Sequence, residues 1–113
     1  MIKTACMLCA VLFSLPAIAG TGEDDDARFE ESVRNFGFTS GAAHQCAEPA
    51  KRPQIESDAL KAFSGLVRLF GTDHAFMYAA AFGAGTAMQI DRSKCPDYAA
   101  SFDKSMNKHR SDR

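Results

Sequence analysis

Phe29, Val33, Phe36, Ser40, Ala43 and Ala47 recur at steps of 4, 3, 4, 3 and 4, which is the stripe of an amphipathic helix. Gly37 and Gly41 lie four residues apart on an adjoining face. Each costs about 1 kcal/mol relative to alanine inside a helix, so close approach of a second helix is the expected offset; a bend near Asn35–Gly37 is the competing reading. A loop marked by Pro49 and Pro53 follows. Ile55, Ala59, Ala62, Phe63, Leu66 and Phe70 then line one face of a second helix, with Glu56, Asp58, Lys61 and Arg68 on the others. Pro53 suits its first turn. Gly71 suits the position just past its end, and Thr72-Asp73 offers a cap for the next helix.

The third helix, expected over about 74–90, has a different pattern. Ala75 through Phe82 is apolar on every side, and Gly83, Ala84, Gly85, Thr86 and Ala87 continue it with small residues. A helix apolar all round belongs in a core or a membrane. Its length and its polar end at Gln89 and Asp91 favour the core. There Gly83 and Gly85 would allow close packing, as at Gly37 and Gly41, and Phe76, Phe82 and Met88 would fill gaps. After a loop at 91–94, Cys95-Pro96 opens a last helix, docked by Tyr98, Phe102 and Met106. No segment shows strand alternation. The expected fold is all-α: about four helices with one disulfide, the middle pair packed between the first and the last.

The amino terminus sets the compartment. Lys3, an uncharged apolar run over 5–15, Pro16, and a small-x-small site at Ala17 and Ala19 before Gly20 have the order of a secretory signal peptide. The run is too short to span a bilayer. The expected organisation is signal peptide 1–19, flexible acidic leader 20–25, a single helical domain 26–107 and a basic tail 108–113, with fraying from Asn107. Cys6 and Cys9 leave with the signal. Cys46 and Cys95 remain, and in an exported chain they are expected to form the single internal disulfide, with a metal site, a catalytic thiol or an intermolecular bridge as the competing readings. A periplasmic or secreted location follows.

Charge changes little. The full chain carries a formal net charge of −1, with an acidic front and a basic tail that suit helix ends. No basic face with aromatic support points to nucleic acid. His44 beside Cys46 would make a small thiol enzyme only with a free thiol. His44, His74, Cys46 and Cys95 lack the close-paired spacing of zinc ligands. Gly83-Ala84-Gly85-Thr86 lacks the third glycine and the preceding strand of a phosphate loop. Asp24–Asp26 lack a calcium loop's spaced ligands and turn glycine. The expectation is no enzyme, no cofactor and no metal.

Two families of small periplasmic disulfide-linked proteins have a similar layout. The short exported helical chain, the cysteines half a domain apart and the lysine-bearing last helix (CPDYAASFDKSMNKH) resemble HdeA-type acid-stress chaperones. The stretch Lys94-Cys95-Pro96-Asp97-Tyr98, continuing through Ser101 to Asp103-Lys104, resembles the immunity proteins that neutralise amidase toxins of type VI secretion. Phe36-Gly37-Phe38 and Ala81–Gly85 belong to neither pattern, and no functional residues carry over. The first resemblance implies an acid-stress chaperone that loosens below about pH 4 and binds client proteins. The second implies an inhibitor presenting a fixed surface to a toxin or enzyme. Either way the expected partner is another protein: a client, a toxin or an envelope component.

Overall fold

The computed structural model describes residues 21–111, with side chains described over 25–108. The signal peptide and its cleavage residues Ala17, Ala19 and Gly20 lie outside the described residues. Four α-helices make up the domain: α1 (Thr21–Cys46), α2 (Arg52–Phe70), α3 (Thr72–Ala87) and α4 (Cys95–Ser111). One-turn 3-10 helices, Pro49–Lys51 and Arg92–Lys94, precede α2 and α4. No strand occurs among the described residues.

Three boundaries differ from the sequence reading, one of them that of α3, which spans Thr72–Ala87 rather than about 74–90. Most of the acidic leader expected over 20–25 is instead helical, because α1 is described from Thr21 onward. Acidic residues early in a helix are favoured by its dipole, so their charge did not imply a flexible chain. At the other end α4 runs on to Ser111 rather than fraying at Asn107. Pro53 stands in the first turn of α2, and Gly71 ends that helix with φ +95°, a conformation that favours glycine. Gly71, not Thr72-Asp73, takes the cap position of α3, and no side chain caps it.

Helix α1 runs unbroken through both glycines and is the hub of the bundle. It packs most extensively on α3 and next on α4, while α2 packs chiefly on α3 and only sparsely on α4. Around the bundle the order is therefore α1, α3, α2, α4. This corrects the expectation that α2 and α3 lie between the first and last helices: α1 itself separates α3 from α4. The reason is a close approach of α1 and α3. A Cβ on Gly41 would overlap the Phe82 carbonyl and come within 2.8 Å of Gly85 Cα, and one on Gly37 would lie 2.8 Å from Ala81 Cβ. A Cβ on Gly85 would in turn overlap the Phe38 carbonyl. Gly37 and Gly41 thus meet Ala81 and Gly85 in register, with the two helices parallel. Gly83 takes no part, because a Cβ there meets nothing within 4 Å.

Val33, Ala43, Ala59, Ala62, Tyr78, Phe102 and Met106 form one buried cluster drawn from all four helices. Ser40, on the apolar stripe of α1, is fully buried. Its hydroxyl donates to Phe36 O at 2.7 Å and accepts from Tyr78 Oη at 3.1 Å. Burial, partly opposed by the Ser40 bond, pushes the Tyr78 hydroxyl up from its ordinary 10.0 to about 12. The native state therefore favours the neutral phenol, and this contribution to stability is lost as pH rises from about 10 to about 12. Ser40→Ala would leave the tyrosine hydroxyl without its partner, whereas Tyr78→Phe leaves Ser40 still bonded to Phe36. By the asymmetry of hydrogen-bond deletion, Ser40→Ala is expected to lose about 2 kcal/mol and Tyr78→Phe about 1. Urea unfolding of both variants checks the order.

The ends of α1 and α3 are locked together by side chains. Arg52 donates to the His44 carbonyl (3.2 Å) and the Gln45 carbonyl (3.3 Å), satisfying acceptors that a helix end leaves open. Gln45 Nε2 does the same for α3, donating to Gly85 O (3.0 Å) and Met88 O (2.9 Å), while its Oε1 accepts from Arg92 at 3.3 Å. Beside them Cys46 and Cys95 are joined in a disulfide, with Cα atoms 5.5 Å apart.

Candidate functional site

The residues with the richest chemistry are occupied structurally. Cys46 Sγ is bonded to Cys95, so the nucleophile of the thiol-enzyme reading is absent from this state. His44 contacts Glu56 Oε1 at 3.0 Å and stacks edge-on against Phe82. It points across to α2 rather than toward a reactive centre. His74 lies at the opposite end of the bundle, between Phe29 (5.0 Å) and Phe70 (6.4 Å), and its Nδ1 is buried with no hydrogen-bond partner. The two histidines and the disulfide are thus not brought together. No group of three or more His, Cys, Asp or Glu able to hold a metal occurs among the described residues.

The unusual surface is on α3. Between Asp73 and Asp91 this segment carries no charged residue, yet only Ala75, Tyr78 and Gly85 are buried. This corrects the expectation of a core helix covered on all sides. The close packing on α1 fixes Ala81 and Gly85 inward, and the 3.6-residue period then turns Phe76, Ala79, Ala80, Gly83 and Ala87 outward. All five are exposed. Phe76 is 72% accessible and Met88 56%, so neither fills a gap in the core. No helix among the described residues is long and apolar enough to cross a membrane.

Shallow grooves flank this arc. One, of about 310 Å³, runs between α3 and α2 past Leu60, Phe63, Ala79 and Phe82, with Glu56 at its rim. The other, of about 420 Å³, runs between α3 and α1 past Phe38, Phe76, Ala80 and Ala84, with Arg34 at its rim. Leu60 is itself 65% exposed and extends the apolar surface onto α2. The sequence held a signal for this arc: Ala79, Gly83 and Ala87 repeat at four-residue steps, as Ala81 and Gly85 do. Which stripe faced inward depended on the partner helix.

A third depression lies across the bundle, between α2 and α4, and has a volume of about 610 Å³. Cys46 and Cys95 line one end, and Asp58 and Asp103 stand on its two walls. Asp58 is half-buried, in contrast to the outer face assigned to it from its helix alone.

No protein-family model, curated protein or solved structure matches this chain. The functional reading therefore rests on these surfaces.

Proposed function

We propose that this chain is a non-enzymatic, exported domain that works by binding another protein, and that the outer arc of α3 is its docking surface. One observation carries the reading: the most apolar helix of the bundle leaves Phe76 72% exposed beside four exposed small residues. A bundle helix facing water is ordinarily polar on that side, and contiguous apolar surface of this kind marks an interaction site. The disulfide is compatible with an exporting compartment.

The occupant that fits is an amphipathic helix of the partner, laid along α3. The inner face of α3 already receives α1 over Ala81 and Gly85, and the outer arc repeats that small-residue spacing. The two flanking grooves would receive the large side chains of such a helix, as in helix-in-groove recognition.

A surface already present in the folded domain supports a fixed inhibitor or immunity-type role over acid-triggered exposure of a core. Acid opening draws on carboxylates held below their ordinary pKa by native partners. Asp91 is held below its ordinary pKa by its bonds from Ser93 Oγ and Ser93 N. That contribution exists above the ordinary aspartate pKa and is lost as pH falls through the lowered one. Asp91 lies fully exposed in a connecting turn, where the effect is local.

The test is Phe76→Glu in the exported, tagged protein. The variant is expected to elute alone on gel filtration of native extract, where the wild type elutes in a complex of defined mass. An exposed aromatic anchor contributes about 2 kcal/mol or more to binding, roughly 30-fold in affinity. Because Phe76 makes little core contact, the unfolding midpoint should scarcely move. A complex undiminished by Phe76→Glu would rule this surface out.

A further inference from the structure

We propose that the cleft between α2 and α4 is a separate binding site that takes an arginine or lysine side chain presented by a peptide segment of a partner. It lies on the side of the bundle away from the outer arc of α3 and does not depend on that surface. The cleft arises from the helix order. Helices α2 and α4 both start near the disulfide-linked end and run the same way as neighbours, but they touch only sparsely. The resulting volume of about 610 Å³ falls within the range that holds a small ligand or a few peptide residues.

The chemistry of the lining selects the ligand. Ala43, Ile55, Ala99 and Phe102 give an apolar surface between the two walls. Asp58 is six residues into α2 and Asp103 eight residues into α4, heights of about 9 and 12 Å from the helix starts at 1.5 Å per residue. Counted from the helix starts, the two aspartates therefore lie within one helical turn of each other in height, on the two walls of the cleft. Neither is in an ion pair among the described residues, whose pairs are Glu30–Arg34 and His44–Glu56. Asp58 accepts only a neutral hydrogen bond, from Gln54 Nε2 at 3.1 Å.

Of the charged residues lining the cleft, Glu48, Asp58 and Asp103 are acidic and Lys51 alone is basic, so the cleft is complementary in charge to a basic ligand. The ligand's aliphatic stem would lie on Ile55, Ala99 and Phe102, and its charged head would reach Asp58 and Asp103. Lys51 lines the disulfide end of the cleft, beside Glu48, and leaves the aspartate end to the ligand. An anionic group would meet both aspartates, and a neutral apolar one would leave Asp58 unpaired.

The experiment is a backbone-amide NMR titration of the disulfide-linked protein with the peptide Ac-Ala-Leu-Arg-Ala-NH2. Controls are the same peptide with citrulline for arginine, and free spermidine. Saturable shifts are expected at Ala43, Ile55, Ala99 and Phe102. Affinity is expected to fall at least tenfold with citrulline, with Asp58→Asn and with Asp103→Asn. Asp103 is exposed, so its variant keeps the test valid should Asp58→Asn fail to fold. Absence of shifts in the cleft at millimolar peptide would overturn the proposal, as would equal binding of the citrulline peptide. Spermidine binding as tightly as the peptide would overturn it too, in favour of a free organic cation.

Discussion

Replacing Cys46 and Cys95 together by alanine is expected to lower the unfolding free energy by about 4 kcal/mol. The two residues are 49 apart in sequence, and the figure is the chain-entropy value for closing a loop of that length. Domains of this size are typically stable by only about 5–15 kcal/mol, so the loss is a large share of the total. The structure also says where the effect concentrates. Helix α4 packs on α1 and hardly on α2 or α3, so without the bond its start is held only by the partly buried Tyr98, while Phe102 and Met106 anchor its middle. Denaturant unfolding of the double variant, and of the wild type under reductant, should give the same lowered midpoint. Hydrogen exchange should show α4 losing protection before α1 and α3.

The second large effect contrasts glycines in neighbouring helices. Gly41→Ala places a methyl group against the Phe82 carbonyl and Gly85 Cα, and neither is a side-chain tip that can swing away. Overpacking of this kind costs about 1–3 kcal/mol, occasionally more. Forced backbone separation puts it at the upper end, offset by about 1 kcal/mol of helix propensity. The expected net loss is about 2 kcal/mol. Gly83→Ala meets nothing within 4 Å and keeps the propensity gain, so it should stabilise by about 0.5–1 kcal/mol. In a domain of this size 1 kcal/mol moves the thermal midpoint by about 4–8 °C. The two alanine variants should therefore lie on opposite sides of the wild type in a melting experiment.

That contrast also marks how far the sequence could be read. Amphipathic stripes placed the first, second and last helices, because an alternation of apolar and polar residues carries its own direction. The third helix has no polar side, so its pattern could not say which residues face water. The answer lies in a second helix: Gly37 and Gly41 on α1 fit Ala81 and Gly85, and that match turns Gly83 and Phe76 outward. Reading all four glycines as packing residues thus held three contacts and one exposed position together. The helix order around the bundle was hidden for the same reason, since a glycine pair shows that some helix comes close but not which one.

The candidate sites were less legible than the fold. Asp58 follows a polar position of an amphipathic helix and reads as solvated until α4 stands beside it across a gap. Gln45, which caps α3 through Gly85 O and Met88 O, is separated from them by 40 residues or more and has no local signature. Arg52 is different, because it lies only seven or eight residues beyond the carbonyls it caps. A residue's helical period gives its neighbours on that helix, whereas clefts and caps depend on how separate helices meet.

The central claim is that the outer arc of α3 is covered by a partner in the exporting compartment. Site-specific photo-crosslinking in intact cells tests it most directly, with the crosslinker at position 80 or 83 on the arc, or at position 101, exposed on the side of α4 away from the α2–α4 cleft, as a control. The account predicts one discrete protein adduct from positions 80 and 83, lost when Phe76→Glu is introduced, and none from position 101. Equal adducts from all three positions, or none from the arc while the protein is folded and exported, would contradict it.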